Sequence, residues 1–258
     1  MLILLPPSEG KASPEAGPRL DLGTLSFPSL TSSRRAVLQE LTTLCRGDMD
    51  TARAALGLGP TQRDEVLANA RLRTRPTAAA IEVYAGVLYD ALDAASLSAR
   101  ARGRLGQQVA IASALWGLVR PSDPIPAYRL SGSARLPGLP SLASLWKKPV
   151  GTVLAEADDF ILDLRSGAYV ALGPLPRSVA PHAATVRVLT EKDGRRSVVS
   201  HFNKATKGRI VRSLVESRRT PADADDLAHE LSRTGYRVEP TPATSGRAAV
   251  LDVVVTDL

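Results

Sequence analysis

Met1–Ser13, MLILLPPSEGKAS, decides how the rest of the chain is read. Residues 2–5 are an unbroken aliphatic run, which reads as a buried strand. Pro6 and Pro7 stop it, and Gly10 punctuates the turn that follows. Ser8, Glu9 and Lys11 therefore gather at the end of a buried strand, where open α/β proteins collect ligand-binding groups. A Walker A loop is excluded, because it needs glycine five positions before Gly10 and a hydroxyl directly after the lysine. Leu5 and Ala12 stand in those places.

Outward from this stretch, 258 residues with 44% hydrophobic and 23% charged side chains describe an ordinary globular chain. LILLPP is too short for a signal peptide and no transmembrane span is evident, so no membrane partner is expected. The single cysteine, Cys45, excludes an intrachain disulfide and fits a cytoplasmic location. The net charge is +7, and residues 187–219 carry ten Lys or Arg against three acidic residues, 10 − 3 = +7. A local basic excess of that kind points to a polyanionic partner, DNA foremost.

The periodicities predict helices from Thr31–Ser33 to about Cys45, over 77–98, around Leu142–Lys148, over 204–219 and over 222–233. Residues 107–119 are apolar nearly all round and read as a buried helix or a strand-like core segment. Strands are expected at 158–164, 185–191 and 248–257, the second turning through Lys192-Asp193-Gly194 into a hairpin. Residues 12–30 read as loop. The fold class is α+β or mixed α/β: one domain over 1–258, a mixed sheet with surrounding helices, and a helical subregion at 31–105.

Three stretches carry candidate chemistry. Leu56-Gly57-Leu58-Gly59 lies between two short helices, the pattern of a helix-hairpin-helix whose amides receive a DNA phosphate at Gly57 and Gly59. A plain helix C-cap glycine followed by a turn explains the same residues. Arg120-Pro-Ser-Asp-Pro-Ile-Pro-Ala-Tyr-Arg129 is stiffened by proline and presents Arg120, Tyr128 and Arg129, suited to anion binding and base stacking or to bracing a long loop. On the helix from 204, steps of about 100° per residue put Ile210, Val211, Leu214 and Val215 on the buried face. Lys204 and Lys207 share that side, whereas Arg209 and Arg212 point outward and serve phosphate steering. His182, His201 and His229 lack metal-ligand spacing, so no metal site and no cofactor are expected. Asp158, Asp159 and Asp163 read as strand-end carboxylates, and adjacency alone makes Ser200-His201 no catalytic pair.

MLILLPPSEGKA, ALWGLVRPSDPIPAYRL, SLWKK and VVSHFNKATKGRIVR, in this order and spacing, resemble the YaaA family from residue 1 to about Tyr236. PPSEGK stands where enterobacterial members carry SPAKT, which maps the serine and lysine onto Ser8 and Lys11. The resemblance implies a cytosolic protein protecting against hydrogen peroxide by limiting free iron and oxidative DNA damage. It also implies one mixed α/β domain with a basic cleft, a helix-hairpin-helix element and affinity for DNA.

Two functions remain open at this point. One is a DNA-binding stress protein. The other is an enzyme acting on an anionic or purine-like small molecule in a pocket of Ser8, Glu9, Lys11, Arg120, Tyr128, Arg129, Lys204 and Lys207. Glu9 or Lys11 would be its proton-transfer group, with Lys11 alternatively a nucleophile.

Overall fold

The structure, a computed structural model, describes residues 1–192, 195–197 and 200–255, with the backbone alone at 192, 195 and 200–202. Asp193 and Gly194 of the expected hairpin turn, and the side chains of Ser200 and His201, lie outside the described residues.

The opening aliphatic run is strand β1 (Leu2–Leu5), buried on both faces at the middle of an eight-stranded mixed sheet. It pairs in parallel with β3 (Val109–Ser113) on one side and β6 (Ile161–Asp163) on the other. β4 (Gly117–Val119) closes the first edge as an antiparallel neighbour of β3. Beyond β6 come β7 (Ala183–Lys192), then β10 (Ala249–Val255), both parallel, and the antiparallel β9 (Arg237–Thr241). β8 (Arg195–Ser197) pairs with the end of β7. A separate two-stranded ribbon joins β2 (Ala78–Ala79) to β5 (Pro124–Ile125). The mixed sheet with surrounding helices agrees with the expected fold class.

Helices α1 (Thr31–Arg46), α2 (Met49–Leu56), α3 (Arg63–Ala70), α4 (Ala80–Val83), α5 (Val87–Leu92) and α6 (Ala99–Gln108) fill the path from β1 to β3. α7 (Leu142–Ala155) precedes β6 and α8 (Gly167–Val170) follows it. α9 (Ser200–Glu216) and α10 (Ala224–Arg233) lie between β8 and β9. The chain thus leaves β1 toward β3 on one side and returns to β6 on the other. That reversal of direction is a topological switch point, and it opens a crevice at the carboxyl end of β1.

Several expectations need correction. Residues 77–98 are not one helix. Ala12 N donates to Val83 O, and Ala85 N donates to Gly10 O, so the backbone at 83–85 is drawn out to pair with the loop after β1. Long-range pairing overrides the helical period there. Residues 107–119 resolve as the end of α6 followed by strands β3 and β4, since β1 offers a parallel edge. α7 runs on to Ala155 with Pro149 inside it, beyond the expected stop at Lys148. Arg34, on the first turn of α1, is fully buried. Its guanidinium donates to Trp116 O at 2.9 Å, Ser26 O at 2.7 Å and Leu118 O at 2.6 Å, tying α1 to the β4 edge.

Candidate functional site

The loop that leaves β1 folds on itself before it meets anything else. Ser8 Oγ donates to Gly10 O at 2.6 Å and accepts from Ala85 N at 3.1 Å. The Lys11 side chain turns back, donating to Ser8 O at 2.8 Å and Glu9 O at 3.4 Å. Glu9 instead points outward to Arg129, whose Nη2 donates to Glu9 Oε2 at 2.9 Å. Arg129 is fixed in turn by Asn69 of α3, which exchanges two hydrogen bonds with its backbone at 2.7 and 2.9 Å. Ser8, Glu9, Lys11, Tyr128 and Arg129 are therefore brought together, although 120 residues separate the two segments.

Aromatic rings form the wall behind the lysine. Its ammonium lies 4.3 Å from the centroid of Tyr128 and 5.5 Å from that of Tyr84, within cation–π range. The Tyr128 hydroxyl sits 2.9 Å from that of Tyr84 and 2.7 Å from Ser113 Oγ at the end of β3. Burial pushes both phenols well above the ordinary tyrosine range, so they stay protonated. Burial also lowers the Lys11 ammonium to about 7. The Arg129 charge pushes the same way, and Glu65 and Glu9 oppose it. Glu9, Lys11, Thr61, Gln62 and Glu65 line a cleft of about 380 Å³ between this loop and the start of α3.

On the other side of the same loop lies a second cleft, of about 520 Å³, at the carboxyl ends of β1 and β6. Ser8, Tyr89, Tyr169, Asn203, Lys204 and Lys207 border it. Ile210, Val211, Leu214 and Val215 are buried as expected, and α9 delivers both lysines to this cleft from that side. Lys207 donates to Leu164 O at 3.1 Å. Burial lowers its ammonium, and Asp163 opposes that shift. The nearest carboxylates are engaged elsewhere, Glu9 with Arg129 and the fully buried Asp163 with Arg165. Asn203 borders this cleft, and its buried Oδ1 has no hydrogen-bond partner among the described residues.

Other candidate residues lie apart from both clefts. Arg120 is at the opposite, amino end of β1, beside Met1, Phe27 and Asp159. There it donates to Gln107 O and Val109 O at 2.8 and 3.0 Å and covers the Phe27 ring, so it braces the loop rather than facing the clefts. Arg212 is not simply outward: its Nη1 donates to Leu92 O and Asp93 O at 3.1 and 3.0 Å, capping α5, and it pairs with Glu216. Arg209 is exposed beside it, on the face of α9 away from Lys204 and Lys207.

Gly57 and Gly59 do connect two helices, but their amides are occupied. Gly57 is left-handed at φ 65°, and its N donates to Ala54 O while Leu58 N donates to Arg53 O. This is the Schellman arrangement that ends a helix, with Leu58 buried as its apolar anchor. Gly59 N donates to the Gln62 side chain at 2.9 Å. The C-cap explanation therefore accounts for the loop, and a phosphate there would have to displace Gln62.

Tyr84, Ser113, Asn69 and Asn203 were not singled out from sequence. Tyr84, Ser113 and Asn69 earn their places through distant partners, Tyr128 for the first two and Arg129 for the third. Among the described residues no three His, Cys, Asp or Glu side chains are grouped to hold a metal ion, and no helix is long and apolar enough to cross a membrane.

Sheet and clefts define a class: a mixed α/β protein with amines gathered around the loop that leaves its central parallel strand. The chain belongs to the peroxide stress protein YaaA family, whose model matches residues 1–241. It is 50% identical to a UPF0246 protein of Streptomyces coelicolor over the whole of both chains. It is 44% identical to one of Corynebacterium efficiens, over 99% of this chain and all of the other. A third, from Corynebacterium glutamicum, is 42% identical over 94% and 96% of the two chains. Family membership supports a role in peroxide stress.

Proposed function

We propose that the peroxide-stress role is exercised on nucleic acid, held by its phosphates along the cleft at the carboxyl ends of β1 and β6. The limiting of iron-dependent damage is then protection of the bound polymer. One observation carries the reading: α9 delivers Lys204 and Lys207 to the same open cleft while the adjacent carboxylates are taken by arginines. Two ammonium groups so placed suit an anion with repeating charge. Fluorescence anisotropy with duplex, mismatched and single-stranded DNA tests it. Binding should weaken as salt rises, by roughly 0.9 in log K per phosphate contact for each decade of salt on duplex. Replacing Lys204 and Lys207 by Ala should flatten that slope by about two contacts, whereas Arg209→Ala should leave it nearly unchanged. Absence of salt-sensitive binding to all three forms would overturn the reading.

Lys11 favours a second reading, an enzyme for an anionic or purine-like small molecule. Among the described residues its amine meets the carbonyls of Ser8 and Glu9 and no carboxylate, and it stands at the switch point, where such sites form. Under the enzymatic reading Lys11→Ala abolishes turnover of the cognate substrate. Under the binding reading the same substitution costs only a modest part of the affinity for DNA.

A further inference from the structure

We propose that Lys11 is a carbonyl-capturing amine and that its ligand is a ring-opened sugar aldehyde, either a free sugar or an abasic nucleotide within DNA. The first support is placement. Lys11 is only partly buried, lines the cleft of about 380 Å³ beside α3, and is held by the carbonyls of Ser8 and Glu9 rather than by a carboxylate. A neutral amine has two hydrogens for those carbonyls and keeps a lone pair for a carbon electrophile. The second support is the lining. Ser13, Thr61, Gln62, Asp64, Glu65 and Arg75 offer hydroxyls, an amide, carboxylates and a guanidinium, a set that exchanges hydrogen bonds with sugar hydroxyls. Buried between tyrosines and near Arg129, the lysine is also far easier to deprotonate than one in water.

The step balances without an oxidant. The Nζ lone pair attacks the aldehyde carbon to form a C–N bond, and the carbonyl oxygen takes a proton. The resulting carbinolamine loses that oxygen as water, leaving a C=N bond between sugar and Lys11. Water reverses the reaction unless the imine is reduced. Glu65, whose charge acts on Lys11 and which lines the same cleft, is the proton carrier, since Glu9 is paired with Arg129. Peroxide stress supplies a context, since hydrolysis of the bond from an oxidised base to its sugar leaves this aldehyde; only the abasic arm rests on the nucleic-acid reading above.

The experiment incubates the full chain at pH 7.5 with sodium cyanoborohydride and either 2-deoxyribose or a duplex carrying one abasic site, then maps adducts by peptide mass spectrometry. The expected result is one adduct, at Lys11, exceeding that at Lys147, Lys148 or Lys204 by about tenfold or more. An ordinary lysine is only about 0.1% neutral at that pH. Lys11→Arg, checked for folding by its melting curve, should abolish the adduct, and Lys147→Ala, exposed on α7 outside both clefts, should keep it. Labelling by free sugar and duplex alike, or by the abasic duplex alone, supports the proposal, the latter assigning the aldehyde to DNA. Adducts spread over surface lysines with no excess at Lys11, or none at all, overturn it. Anisotropy on the same duplex separates the failures. Salt-sensitive binding without an adduct sinks only the amine chemistry, and an adduct with free sugar but no DNA binding sinks only the nucleic-acid reading.

Discussion

To carry a charge at Lys11 the chain must strip most of the water from an ammonium and replace it with two carbonyls and two ring faces. The exchange is incomplete, and burial brings the group to about 7 from an ordinary 10.5. Arg129 adds to the shift, Glu65 and Glu9 counter it, and the phenols of Tyr84 and Tyr128 stay neutral. Between those two values the unfolded chain binds the extra proton, so this residue favours folding progressively more as pH rises from about 7 to 10.5. Below 7 its full penalty is present. Lys11→Met should therefore raise the melting temperature, and by more at pH 6 than at pH 9; thermal unfolding at the two pH values checks this. Part of this residue's role is legible from the sequence, because a lysine directly after a buried strand is conspicuous. Its tyrosine wall is not, since Tyr84 and Tyr128 lie in separate segments. Arg120 shows the reverse error: a loop rich in arginine and proline suggests a ligand, yet local carbonyls satisfy it.

At the scale of elements, the contact between α5 and α9 sets the second cleft, because it fixes how far Lys204 and Lys207 reach. Gly208 lets the two helices approach, and a methyl group there would run into the backbone carbonyl of Leu88 and crowd Ala91. In an exposed helix Gly→Ala is worth up to about 1 kcal/mol in favour of alanine. Here the sign should reverse: Gly208→Ala should destabilise by about 1–3 kcal/mol, the usual cost of overpacking, measured by urea unfolding. The amphipathic helices α1, α9 and α10 are readable from sequence because one face alone decides them. Residues 77–98 are not readable, since their helical period is overruled by pairing with the loop after β1. β3 is ambiguous in isolation and becomes a strand only beside β1.

Over the whole molecule the basic segment does not form one patch. Arg187 pairs with Asp252, and Arg196 with Glu191 and Glu239. α9 sends Lys204 and Lys207 to the cleft and Arg209 and Arg212 to the opposite face, where Arg218 and Arg219 line the same hollow. A linear charge count cannot foresee this, because pairing partners such as Asp252 and Glu239 come from strands read last. The same late strands govern how the chain is made. β10 lies between β7 and β9, so the sheet is not assembled in the order of synthesis. While residues 249–255 are still inside the ribosome, one side of β7 exposes unpaired amides and carbonyls across seven residues. Such an edge recruits other strands, and the chain stays prone to aggregate until β10 docks. For a protein of peroxide stress, the docking of β10 is thus the step at which crowding and chaperone supply bear most on yield.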